Sequence, residues 1–237
     1  YKLNYMEMEH GMMMESMGPL VFGFHLEIFL MLLSGVFYLL CAWLLLKPYK
    51  EEKNELVGAL MAFLVYQAFS MFFMGVEMHT MNLLWSNLAG LAVFIGSAYM
   101  LKFIFSPFAE NTRKNLFRLS LIVAFGLFAW FMQDEMKQME LMHFTLWYDL
   151  VVNGIIVGGA IILFALKTTE KWLRAKALGG GGGVVTCCVV ANATMLSGAM
   201  LVSSVFQFLA PVMILGTLFY ARKKQNQTAP VQTTPTI

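Results

Sequence analysis

Charge is the scarcest thing in this 237-residue chain. Only 13% of its residues are Asp, Glu, Lys or Arg, against about 25% in an ordinary soluble domain. That shortage excludes a water-soluble globular protein, because too little polar surface is left to face water. Cysteine is nearly as rare. Cys41, Cys187 and Cys188 are the three present, and an adjacent pair plus one distant residue is no disulfide framework. They read as small buried hydrophobes. No HExxH or HxxxH occurs, so zinc hydrolases of familiar pattern are not indicated. No Lys precedes Lys223 in the last apolar block, so a retinal Schiff base has no anchor. The run Gly179–Gly183 is followed by Val184 and Val185 rather than Lys-Ser/Thr, which excludes a phosphate-cradling loop. The formal net charge is only +2, which gives no reason to expect a nucleic-acid partner. No nucleophile, base and acid fall together, so the chain does not read as an enzyme by itself.

What is present is apolar length. The composition is 59% hydrophobic, arranged in blocks separated by short charged punctuation. A membrane-spanning helix needs about 20 apolar residues. Seven blocks qualify: 19–46, 55–78, 81–105, 117–133, 143–166, 177–195 and 198–221. The expected fold class is all-α: a polytopic membrane helical bundle of about seven transmembrane helices. Residues 1–18 form a Met/Glu-rich segment, 19–221 the bundle and 222–237 a polar tail. The region 192–198 is the expected turn between the last two spans. Six spans with a re-entrant sixth block is the alternative.

Lys and Arg set the expected orientation, since they are retained on the cytoplasmic side. Fourteen of the sixteen lie at one set of block ends, with only Lys2 and Lys137 at the other. The N-terminus is therefore expected outside and the C-terminus in the cytoplasm, in a plasma or inner membrane. Trp85, Trp130 and Trp147 near the outer ends read as interfacial anchors.

On this topology sixteen of the twenty Met residues fall in the outer half: 6, 8, 12, 13, 14, 17, 71, 74, 78, 81, 132, 136, 139, 142, 195 and 200. All four histidines, His10, His25, His79 and His143, fall there too. Thioether and imidazole are ligands for copper, thioether for Cu(I) in particular. Packing alone has no reason to prefer one leaflet, although an adaptable Met surface for a partner would look similar. Helical neighbours lie three or four residues apart. Gln67, Met71, Met74 and Met78 therefore share a face that ends beside His79. Met132, Met136, Met139 and His143 share another if their connection stays helical. Glu27 and Asp149 are the deepest carboxylates, and buried ionisable groups in membranes usually have a purpose. Gly154 and Gly158 form a GxxxG packing face, within the protein or between subunits.

Residues 12–105 resemble the Ctr-type copper transporters. The likeness rests on MMMESM at 12–17, FGFHLEIFLMLLSG at 22–35, MGVEM at 74–78 and the span 81–105. It implies Met74 and Met78 as Cu(I) ligands in a trimeric pore. This chain departs in its seven expected spans and in lacking the third-span GxxxG, since Gly90 and Gly96 lie six apart.

The leading expectation is an integral membrane protein that binds or handles copper(I), or another soft metal, at its non-cytoplasmic face. Its role would be transport or delivery to a membrane metalloenzyme. Met74, Met78, His79, Met139 and His143 are the expected ligands, with His25 and Glu27 beside them and His10 in a collecting segment. The alternative is a non-catalytic accessory subunit of a larger membrane complex, respiratory or oxidase-like, or a homo-oligomer. Haem held by two of His25, His79 and His143 is a lesser reading, and a seven-span receptor or lipid-binding bundle is a third.

Overall fold

A computed structural model describes residues 19–21, 24–169 and 171–228. The His10 and Met12–Met14 segment and the end of the tail lie outside the described residues. The chain is an all-α bundle. Among the described residues, seven helices are long and apolar enough to cross a membrane.

Two short strands, β1 (Leu20–Val21) and β2 (Phe24–His25), pair antiparallel ahead of α1 (Leu26–Glu52). The first span thus starts at 26 rather than 19, because Leu20–Val21 and Phe24–His25 are taken up by the β1–β2 pair, which Leu26 N closes by donating to Pro19 O at 2.9 Å. The next elements are α2 (Glu55–Thr80), α3 (Leu83–Phe105) and α4 (Glu110–Phe131). The fifth span is one continuous rod: α5 (Glu135–Tyr148), a π-helical stretch (Asp149–Gly158) and α6 (Gly159–Lys167). The sixth combines α7 (Lys171–Val185), a second π-helical stretch (Thr186–Ala191) and α8 (Asn192–Leu196). The last helix is α9 (Met200–Thr228).

The turns follow from side-chain chemistry. Lys53 and Met81 sit in the left-handed region, with φ of 48° and 53°. Each returns its N–H to the preceding helix, and each is followed by an Asn that caps the next one. Asn54 Oδ1 accepts from Leu56 N at 2.9 Å, and Asn82 Oδ1 accepts from Leu84 N at 3.0 Å. Asn54→Ala or Asn82→Ala should each lower stability by about 1 kcal/mol, the usual worth of an N-cap, read as a shift of the thermal unfolding midpoint. Asp134 caps α5 by accepting from Lys137 N at 2.9 Å, which holds its carboxyl below the usual carboxylate range. The cap is therefore complete above that range and is lost as the pH falls through and below it. The protection factor of the Lys137 amide, its intrinsic exchange rate over the observed rate at the same pH, should fall there.

Between the sixth and seventh spans, Gly198 at φ +83° makes a Schellman ending, with Ala199 N donating to Thr194 O at 2.9 Å. The turn thus occupies 197–199, at the far edge of the expected region, and both flanking helices are long and apolar enough to cross a membrane. The connection from the fourth to the fifth span is non-helical over 132–134, so the expected Met132–His143 face is not one helix.

Six spans close a ring: α3 touches α2, α2 touches α1, α1 touches α9, α9 touches the sixth span, the sixth touches the fifth, and the fifth returns to α3. Helix α4 stands outside, held on α3 and α5 by an aromatic cluster. Phe144 links Phe131 at 5.0 Å to Phe94 at 6.1 Å, and Tyr148 meets Phe94 at 5.1 Å. Small residues draw the ring tight. A Cβ on Gly154 would strike Val189 and lie 3.2 Å from the backbone of Cys188, and one on Gly158 would lie 2.8 Å from Val185. The GxxxG face is consumed inside this chain, between the two π-helical stretches. The glycine run packs likewise, with Gly181 against Ile161 and Ile162 and Gly183 against Ala210 and Ile214.

Candidate functional site

The inside of the ring is not uniformly apolar. Asp149 opens the π-helical stretch of the fifth span and is 5% exposed. Asn153, one turn on, donates from Nδ2 to Asp149 Oδ1 at 2.5 Å, and Asn192 of the sixth span donates to Oδ2 at 2.8 Å. Asn153 Nδ2 also reaches Ser97 Oγ of α3 at 2.7 Å. The Gln67 amide and the Cys188 thiol face the same carboxylate. π-helical turns recur at functional sites because they re-aim side chains out of the regular ladder. Here two such stretches face one another and carry Asp149, Asn153, Cys187 and Cys188.

Both hydrogen-bond donors to Asp149 are neutral amides. Among the described residues, no Lys or Arg forms an ion pair with it. A buried carboxylate without a counter-ion is costly; the two amide hydrogen bonds offset part of that cost, and a proton or a cation would offset the rest.

Beside Asp149 lies a cavity of about 20 Å³. Helix α2 turns Gln67, Ser70, Met71 and Met74 into it, at i, i+3, i+4 and i+7, so one helix face supplies all four. The same spacing on the fifth span supplies Met142, Thr145, Leu146 and Asp149. Cys187, Asn192 and Gln207 close it from the sixth and seventh spans, and Ala89, Gly90 and Val93 of α3 form an apolar wall. Gly90 makes room for this lining, because a Cβ there would lie 3.0 Å from Thr145 Oγ1.

Three polar atoms on the cavity wall have no hydrogen-bond partner: Gln67 Nε2, Thr145 Oγ1 and Gln207 Oε1. Each such atom costs about 1–3 kcal/mol when buried and unsatisfied. The cavity exceeds the ~10–15 Å³ that one water or small ion requires. Its donors are therefore three thioethers, a thiol, a carboxylate and several amide or hydroxyl groups. Among the described residues no group of three or more His, Cys, Asp or Glu is gathered to hold a metal ion.

The sequence-based ligand candidates separate into two sets. Met78, Met74 and Met71 are buried at 8%, 5% and 4% exposure, a ladder one turn apart or less that descends from the end of α2 to the cavity. The sulfur of Met74 accepts from Ser70 Oγ at 3.9 Å. Glu27 is buried in the first turn of α1. The rest are peripheral. His79 is exposed, with its ring 5.5 Å from that of Phe24. His143 is exposed and accepts from Trp147 Nε1 at 3.3 Å. Met139 is 47% exposed and faces away from the ring. His25 is half-buried just ahead of α1. The structure thus brings Met74 together with Met71, Met142, Cys187 and Asp149, and leaves His79, Met139 and His143 outside that cavity.

The sequence-based ligand set left out Met71, Met142 and Asp149, and Cys187, Gln207 and Asn192 were missed altogether as site residues. The available signal was polarity inside an apolar block: Gln207 is the one amide between 198 and 221, and Asn192 read as a turn. The chain matches no family model, no curated protein and no solved structure.

Proposed function

We propose that this protein binds a soft monovalent metal ion, Cu(I), as cargo inside its helical ring, receiving it from the methionine-rich end. The observation that carries the reading is the cavity in which Met71, Met74, Met142 and Cys187 meet the uncompensated carboxylate of Asp149. Soft thioether and thiol donors favour Cu(I) over harder cations. Held by the neutral thioethers, with Cys187 still protonated, one Cu(I) matches the one carboxylate, so the loaded site is neutral, which is the least costly state inside a membrane. A divalent ion would leave an excess charge there.

In the same proposal the N-terminus is outside, following the Lys/Arg bias. The Met12–Met14 and His10 segment collects the ion, and Met78 passes it to Met74. Met139 and His143 form a separate exposed surface at that end, suited to exchange with a donor or acceptor protein. The amides of Asn153 and Asn192 fix the carboxylate, so that its charge faces the cavity rather than wandering among rotamers.

The test is a Cu(I) titration of the purified full-length protein under reducing conditions, against a coloured chelator. One tightly held equivalent per chain is expected. Asp149→Asn should weaken it on the order of tenfold or more, while Zn(II) competes poorly. A wild-type protein that yields all its copper to a weak chelator would overturn the proposal.

A further inference from the structure

A second concavity lies on the outer surface of the ring, away from the cavity. At the Lys/Arg-rich half of the bundle, a groove of about 460 Å³ runs between α1, α2 and α3. Its walls include Leu39, Trp43 and Leu46 of α1, Val65 and Phe69 of α2, and Tyr99 of α3. Small side chains at Ala42 and Ala62 open the space, and the Tyr66 ring stacks on Tyr99 at 5.9 Å to give it a firm wall. The groove continues along α1 into a second hollow of about 490 Å³, which shares Trp43 and Leu46 and adds Lys47, Lys50 and Glu51.

We infer that this groove holds one anionic phospholipid, with an acyl chain along α1 and the phosphate at Lys47 and Lys50. Three observations choose that occupant. The first is polarity along the axis: the walls are apolar and aromatic from Leu39 to Leu46, and the cations follow within one turn. The second is length. Leu39 to Lys50 spans eleven residues, or about 16 Å at ~1.5 Å per residue. One leaflet of the hydrocarbon core is about 15 Å, half of the ~30 Å total. The third is charge. Lys47 is only loosely paired with Glu51, at 3.7 Å with both side chains more than 60% exposed. Lys47, Lys50 and Glu51 together therefore leave one net positive charge at the rim. Trp43, 68% exposed, stands where groove and rim meet. Basic residues placed just beyond the apolar part of a span attract anionic headgroups. This inference stands apart from the copper reading and shares no residue with it.

Trp43 reports on the site directly. The full-length protein is reconstituted in phosphatidylcholine containing brominated phosphatidylglycerol or brominated phosphatidylcholine. The Trp43 signal is isolated by subtracting Trp43→Phe. Brominated phosphatidylglycerol should quench Trp43 at about fivefold lower mole fraction, the ratio expected for one net charge near the surface, and less so at high salt. Lys47→Gln/Lys50→Gln should bring the two lipids level while quenching itself persists. Equal quenching by the two lipids in the wild type would overturn the inference, as would a preference that survives in the double variant.

Discussion

Met74→Leu/Met142→Leu should abolish tight Cu(I) binding by the purified protein while leaving the bundle folded. The two residues face the cavity from different helices, α2 and α5, so no local rearrangement of one helix replaces both. Leucine conserves their volume, and Leu/Met exchanges cost less than about 1.5 kcal/mol each. Truncation to alanine would instead cost about 2–5 kcal/mol per site and confuse binding with folding. Losing two of the soft donors should weaken the site by at least about 100-fold, equivalent to about 3 kcal/mol. Competition against a chelator series gives the affinity, and helical circular dichroism in detergent checks the fold. Met136→Leu/Met139→Leu is the contrast. Those side chains are 59% and 47% exposed on the outward face of α5, and the cavity affinity should be unchanged.

Gly154→Leu should be among the most damaging single substitutions in the bundle. Helices five and six approach so closely at this point that a Cβ alone would meet the Val189 side chain and the Cys188 backbone. A leucine there cannot be absorbed by turning a flexible side chain aside, because backbone stands in the way. Overpacking a tight core costs about 1–3 kcal/mol, occasionally more, and this site belongs at the upper end. For a chain of this size the unfolding midpoint should fall by about 6–12 °C, at roughly 2–4 °C per kcal/mol. The displacement also moves Cys188 away from Asp149, so copper affinity should fall with stability. Gly126→Ala on the outlying α4 is the control. Nothing lies within 4 Å of its Cβ position, and replacing a mid-helix glycine there should be neutral or stabilising by up to about 1 kcal/mol.

Both predictions depend on which face of each helix looks inward, and that is where sequence and structure part. The seven spans were legible, because about 20 apolar residues between charged ends admit few other structures. The turn chemistry was legible only in outline. Asn192–Gly198 overlapped the turn only at its far end, and that Gly198 carries it follows from the backbone. The inward face was legible for α2, where Gln67 joins the methionines and a polar residue inside a span marks the protein side. It was not legible for α5. Met139 and His143, four residues apart, make as good a helical stripe as Met142 and Thr145, three apart, and methionine is an adaptable apolar side chain. In water one face of a helix must be polar, and that contrast would tell the two stripes apart. In a membrane both faces are apolar, so spacing finds a stripe without saying which way it points. The amide cage around Asp149 was hidden for another reason. Asn153, Asn192 and Gln67 lie on three different spans, and only the ring closure brings them together.

The central claim is that methionine sulfur in the ring cavity holds Cu(I). X-ray absorption at the copper edge, on the full-length protein loaded with one equivalent of Cu(I) and washed against a weak chelator, tests it most directly. A spectrum dominated by copper–sulfur scattering is expected, with that signal lost in Met74→Leu/Met142→Leu. A first shell of nitrogen and oxygen alone, or a sulfur signal unchanged in the double variant, would contradict it.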